Sequence, residues 1–114
     1  MTKVLLIEDD KTIADIIQYY LLRNNYEVTL AKDAGEAVSA SRTRFDIILL
    51  DVMLPDVNGI ELCQELRRWN YCPIIYISCI DDDETIIKAL ERGGDDYIVK
   101  PFSNEVLRAR IEAN

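Results

Sequence analysis

Four apolar runs in this chain are each followed at once by side chains that can do polar chemistry. Val4–Ile7 leads into Glu8, Asp9 and Asp10, and FDIILL (Phe45–Leu50) leads into Asp51. PIIYIS ends on the hydroxyl of Ser78, and DYIVK ends on the ammonium of Lys100. In open α/β sheets the functional crevice lies beyond the carboxyl ends of the strands. Side by side as parallel strands, these runs would therefore bring acids, a hydroxyl and a lysine to one edge. Clustered carboxylates repel one another and raise one another's pKa unless a cation sits among them. The chain has no histidine, so the donors at that edge are oxygens, which favour a hard ion such as Mg²⁺. A carboxylate beside Mg²⁺ and a lysine is arranged to attack phosphorus while the cations hold the transferring oxygens.

The segments between these runs change period. From Lys11, residues Ile13, Ile16, Ile17, Tyr20 and Leu21 share one helical face, with Asp10 as N-cap and Asn24-Asn25 at a left-handed end. Tyr26–Ala31 alternates like a strand, and Asp33 caps a helix over Ala34–Arg42. Asp51–Gly59 holds Pro55 and Gly59 and reads as a loop. Helices follow over Glu61–Trp69 and over Asp83–Arg92, the latter ended by Gly93-Gly94. Ser103 or Asn104 opens a last helix with Val106, Leu107 and Ile111 inward. Strand and helix thus alternate five times, which predicts an α/β fold: one parallel sheet covered on both faces. The acids converge if the strand order is 2-1-3-4-5, which puts the first and third strands together.

The length of 114 residues suits one domain. The net charge of −8, from 21 acidic and 13 basic residues, argues against a free-standing nucleic-acid binder, which carries a basic face. No apolar stretch is long enough to span a bilayer, and the acidic turn after five apolar residues is not a secretory signal. Cys63, Cys72 and Cys79 lack CxxC spacing and read as free, mostly buried thiols of a reducing cytoplasm.

LLIEDD, IILLDVMLPDVNG, PIIYIS and GGDDYIVKPF, in that order and spacing and over nearly the whole chain, resemble the receiver domains of two-component response regulators. The resemblance implies a flavodoxin-like (βα)5 fold and a phosphoacceptor switch rather than an enzyme. It implies Asp51 as phosphoacceptor, Glu8 and Asp9 as the acidic pair that holds Mg²⁺ (or Mn²⁺), and the backbone carbonyl of Met53 as a further ligand. Ser78 matches the residue that bonds a phosphoryl oxygen, Lys100 the lysine that pairs with the phosphoryl group, and Pro101 a proline that usually follows a cis bond in the family. Tyr97 stands at the aromatic switch position. Cys79 departs from the pattern, since the residue after the hydroxyl is usually very small there. The partner implied is a sensor histidine kinase in the cytoplasm.

GGDDYIVKPF followed by Glu105, Leu107, Ala109 and Arg110 resembles the OmpR/PhoB type, which dimerises when phosphorylated through the fourth helix, fifth strand and fifth helix. Those regulators carry a C-terminal DNA-binding domain, so residues 1–114 read as the N-terminal part of a longer protein that would meet DNA only through that domain. Asp96 and Arg110 match one charge pair of the dimer. A second pair would need a basic residue at position 86 to meet Glu105, and Ile86 stands there. The expectation is a monomer or weak dimer that tightens on phosphorylation, or else an apolar dimer through Ile86 that needs no phosphate.

Three other readings compete. A haloacid-dehalogenase-type enzyme also uses an aspartate and Mg²⁺, but Val52-Met53 follows Asp51 where that family has Asp-x-Asp after its first strand. A nucleotide or flavin module wants a Gly-rich turn after the first strand, where this chain is acidic. The third is a receiver-like scaffold that no longer takes phosphate; all the key residue types are present, and phosphorylation-dependent mobility or mass discriminates it.

Overall fold

The alternation of apolar runs and amphipathic segments is built as a single layered unit. A computed structural model describes residues 1–114. Its strands are β1 (Thr2–Ile7), β2 (Tyr26–Ala31), β3 (Ile47–Asp51), β4 (Ile74–Ser78) and β5 (Asp96–Val99). All pair in parallel, in the order β2-β1-β3-β4-β5. The helices are α1 (Lys11–Arg23), α2 (Ala34–Ala40), α3 (Gly59–Leu66), α4 (Asp83–Glu91) and α5 (Asn104–Ala113).

Successive strand residues point to opposite faces, and both faces here are apolar. Leu5, Ile7, Ile48, Leu50, Ile74 and Tyr76 pack with Ala37 of α2, Leu62 and Leu66 of α3 and Ala89 of α4. Val4, Leu6, Ile47, Leu49, Ile75 and Ile77 pack with Ala14, Ile17 and Leu21 of α1 and Leu107 and Ile111 of α5. Truncating one of these to Ala removes packing worth about 2–5 kcal/mol. The order reverses between β1 and β3, where Ile7 lies opposite Leu50, while Asp51 lies opposite Ile77. The ends of β1, β3 and β4 are therefore level, and the residues after them share one crevice.

Each helix starts on a side chain that accepts an otherwise unpaired backbone N–H. Asp10, Asp33, Asp82 and Ser103 cap α1, α2, α4 and α5 by accepting from Ile13, Glu36, Thr85 and Val106. Such a cap is worth about 1 kcal/mol. Asn25 takes the positive φ of 68° that ends α1.

Several expectations need correction. Helix α3 begins at Gly59 on an Asn58 cap and ends at Leu66, not Trp69; the chain then turns so that Trp69 and Tyr71 are exposed and only Asn70 is buried. Helix α2 stops at Ala40, short of Arg42, with Ser41 as its C-cap. Ile16 and Val106 face outward, because a helix lying on a sheet buries only its narrow contact stripe, which Ala14-Ile17-Leu21 and Leu107-Ile111 already fill. Of the three free cysteines Cys63 is buried, Cys72 half-buried and Cys79 exposed.

At the amino-terminal end of the sheet, one side chain ties several loops together. Arg67 donates through Nε to the Gly93 carbonyl at 3.0 Å and through Nη2 to Asp95 Oδ2 at 2.6 Å. Its Nη1 also reaches the carbonyls of Asn70 and Cys72.

Candidate functional site

Strand β1 carries the chain into the crevice at Glu8, whose carboxylate is almost fully buried. A buried charge has to be paired or neutralised, and Lys100 supplies a partner: its Nζ donates to Glu8 Oε1 at 2.7 Å. The same ammonium donates to Asp51 Oδ2 at 3.0 Å, from the end of β5 across to the end of β3. Asp51 is itself buried, and its Oδ1 accepts from the Met53 N–H at 2.9 Å. Both carboxylates thus lean on one lysine.

Carboxylate oxygens of Glu8, Asp9 and Asp51 lie within 4.8 Å of one another. Six-coordinate Mg²⁺ with oxygen bonds of about 2.1 Å holds its ligands about 3–4 Å apart. The donor set is all hard oxygen and its spread is compatible with such an ion. Asp9 is exposed, so this corner opens to solvent. Asp10 points away into the α1 cap, its Oδ1 accepting from Ile13 N at 3.1 Å.

The electrostatics follow from this crowding. Burial, and then the neighbouring Asp51, raise the Glu8 pKa from 4.5 to about 7 against the pull of Lys100. Burial drags Lys100 the other way, but hydrogen bonds to Glu8 and Asp51 outweigh it and raise its pKa. A cation placed among these acids would relieve the strain on Glu8.

The loop after β3 folds back onto its own start. Gly59 N–H donates to Val52 O at 2.7 Å, and Met53 and Asn58 form an antiparallel bridge. A Cβ on Gly59 would overlap the Asp51 carbonyl oxygen and lie 2.8 Å from Val52 Cα. Glycine is required here by this close approach of one backbone to another.

Beyond β4, Ser78 and Tyr97 grip the same residue. Ser78 Oγ accepts from Ile80 N–H at 3.1 Å, and the Tyr97 hydroxyl donates to Ile80 O at 2.7 Å. Ser78 is fully buried, and Tyr97 is buried as well. Ser78 makes no hydrogen bond to Asp51. The Lys100–Pro101 peptide is cis. An open cleft of about 660 Å³ runs from the acids past Cys79 and Met53, whose sulfurs are 3.9 Å apart, to Ile13, Ile16 and Phe102.

Glu8, Asp9, Asp51, Met53, Lys100 and Pro101 line this one cleft, while Ser78 and Tyr97 lie behind it. The remaining candidates are elsewhere. Arg110 Nη1 pairs with Asp96 Oδ1 at 3.0 Å within the chain, and Glu105 is exposed in the first turn of α5. Ile86 is half-buried and packs against the core, so the exposed apolar side chains of α4 are Ile87 and Leu90. Sequence reading missed Ile80, whose backbone N–H and carbonyl bond Ser78 and Tyr97, and Phe102, whose place in the cleft depends on how the segment after Pro101 turns.

The family model described as "Response regulator receiver domain" matches residues 4–112. The chain is 42% identical over 114 residues to the response regulator ArlR of Staphylococcus saprophyticus, a match covering 99% of this chain and 52% of that protein. It thus spans about half the length of that curated relative. Among solved structures, a two-component response regulator from Clostridium difficile superposes with a TM-score of 0.97 at 35% identity, over 99% of this chain and 94% of that one. DrrB, a Thermotoga maritima OmpR/PhoB homologue, superposes with a TM-score of 0.87 at 34% identity, over 98% of this chain and 51% of that one.

Proposed function

This chain belongs to the response regulator receiver family, and from that premise we propose that Asp51 takes a phosphoryl group from the phosphohistidine of a sensor kinase. The observation that supports this most directly is the Lys100 ammonium, 2.7 Å from Glu8 and 3.0 Å from Asp51, beside three carboxylates within 4.8 Å. An oxygen of Asp51 attacks phosphorus, the P–N bond breaks and the imidazole leaves. Glu8, Asp9, Asp51 and the Met53 carbonyl would hold Mg²⁺ or Mn²⁺, which would supply the positive charge that lets a phosphate dianion approach these acids. Lys100 turns from the free carboxylate to the phosphoryl oxygens, and the Met53 N–H holds Asp51 in place.

Transfer of the signal runs through Ile80. When the Ser78 hydroxyl moves to a phosphoryl oxygen it releases the Ile80 N–H, and Tyr97, bonded to the Ile80 carbonyl, feels the shift. Small shifts become discrete rearrangements when an element has two packings, and α4, β5 and α5 are that element here. Dimerisation through this surface on phosphorylation, and control of an attached C-terminal DNA-binding domain, complete the reading. No helix is long and apolar enough to cross a membrane, and a cytoplasmic location fits the kinase as donor.

The test is phosphorylation by acetyl phosphate with and without Mg²⁺, read by intact mass. The wild type gains one phosphoryl group only with the metal, and Asp51→Asn gains none. Phosphorylation of Asp51→Asn at an unchanged peptide would overturn the assignment.

A further inference from the structure

The geometry points to Tyr76 as a positioning residue that holds the Tyr97 ring in its buried orientation and ties it to the turn after α4. This inference rests on the role of Tyr97 given under Proposed function. Tyr76 lies mid-strand in β4, directly opposite Tyr97 of β5 in the parallel register. Partners in register point to the same face, and both rings belong to the core cluster on the α2-α3-α4 side. Their centroids are 5.9 Å apart with the planes tilted by 34°, within the range in which aromatic pairs attract beyond simple burial.

The surroundings of the Tyr76 ring add a second contact, which its hydroxyl does not contribute to. Its hydroxyl is buried and has no hydrogen-bond partner, although a buried phenol usually finds one. The ring also lies against Gly94: a Cβ at Gly94 would overlap Tyr76 Cε2 and lie 2.8 Å from Cδ2. Gly94 also donates its N–H to Ala89 O at 3.1 Å, joining the turn to the end of α4. Tyr76 therefore touches both the aromatic bonded to Ile80 and the turn that ends α4. An outward swing of Tyr97 would strip contact from the Tyr76 ring, and a shift of the turn would press on it.

The orientation of Tyr97 can be read without relying on ring-current shifts, from the three-bond couplings of its Cγ to the backbone C′ and N, which report χ1. In phosphate-free protein the wild type and Tyr76→Phe give the couplings of one buried rotamer, because phenylalanine keeps the ring. Tyr76→Met, of similar volume without a ring, gives averaged couplings and a several-fold rise in the outward rotamer. If Tyr76→Met melts at a lower temperature yet keeps Tyr97 in one buried rotamer, Tyr76 is packing alone and the inference is overturned. Should Tyr76→Met fail to fold, Tyr76→Leu with Gly94→Ala, which refills the space from the turn, carries the same test. Adding Mg²⁺ and beryllofluoride to the Met variant tests the parent reading separately. Restoration of the buried rotamer supports both. Averaged couplings that stay unchanged on beryllofluoride binding retain the positioning role of Tyr76 and remove the switch role of Tyr97.

Discussion

Arg110 reaches back to Asp96 within a single chain, Nη1 to Oδ1 at 3.0 Å. Each charge already has a partner before any second copy arrives. Re-pairing them across a dimer exchanges one ion pair for another, and exposed pairs are worth only ~0–1 kcal/mol each. The association energy of this surface then falls to its apolar members. Ile87 and Leu90 stand out from α4, whereas Ile86 leans on the core. Sedimentation with beryllofluoride should show a dimer that Ile87→Lys weakens at least about tenfold, about 1.4 kcal/mol, with an unchanged melting temperature. Ile86→Lys should instead lower the melting temperature, because it pulls a side chain off the core. Loss of the dimer in Ile86→Lys at full stability would return Ile86 to the interface.

Glu8 makes stability depend on pH in an unusual direction. Its folded pKa of about 7 lies above the ordinary 4.5, so between those values the folded state holds more protons than the unfolded one. Stability then falls as pH rises through that window and levels off above it. The full effect is at most about 3 kcal/mol. Metal-free protein should melt higher at pH 5.5 than at pH 7.5 in this respect, and Glu8→Gln should erase most of the difference by stabilising the protein at pH 7.5. Mg²⁺ should raise the melting temperature more at pH 7.5 than at pH 5.5. A Glu8→Gln variant less stable than the wild type at pH 7.5 in EDTA would contradict this.

Gly59 fixes the backbone on which Asp51 sits. A methyl group there meets main-chain atoms of Asp51 and Val52 that cannot swing away. Gly59→Ala should cost about 2–4 kcal/mol, in the range of severe overpacking, and should slow phosphorylation of Asp51 even at temperatures where the variant is folded. Normal phosphorylation kinetics would show that the loop yields without moving Asp51.

Gly94 and Tyr76 should be strongly non-additive. Gly94→Ala alone meets the Tyr76 ring, while in a Tyr76→Leu background the methyl is relieved of that ring and is left with the Ala89 carbonyl oxygen at 3.0 Å. A double-mutant cycle by chemical denaturation should give a coupling of about 1–3 kcal/mol, the size seen for residues in direct contact. Additive values would mean that the turn relaxes away from the ring.

The five β–α units were legible because three of the five strands, β1, β3 and β4, carry near-continuous apolar runs, as in Ile47–Leu50 and Ile74–Ile77, which no amphipathic helix would tolerate. The acids and Lys100 were legible because each follows a strand directly, so knowing the strand fixes the residue's place. What lay hidden depended on rotation and backbone. Ile16 and Ile17 are equally apolar, and only the seating of α1 on the sheet decides which is buried. Ile86 and Ile87 differ in the same way on α4. The α3 start was misplaced because Asn58-Gly59 reads as a turn, whereas Asn58 is a cap and Gly59 is the first helical residue. No side-chain pattern announces the Ile80 N–H and carbonyl, on which Ser78 and Tyr97 converge.

The four-way grip of Arg67 gives the molecule a mechanical polarity. By holding the Gly93, Asn70 and Cys72 carbonyls and the Asp95 carboxylate, it rivets together the loops that lead into β4 and β5, at the end remote from Asp51. The two strands are thus clamped at one pole, so on the proposed switch motion begun at Ser78 and Lys100 would tilt them about that fixed end and emerge as displacement of α4 and α5. Amide exchange should reflect this lever, slowest at Ile74 and Asp95 beside the rivet and fastest towards Ile80.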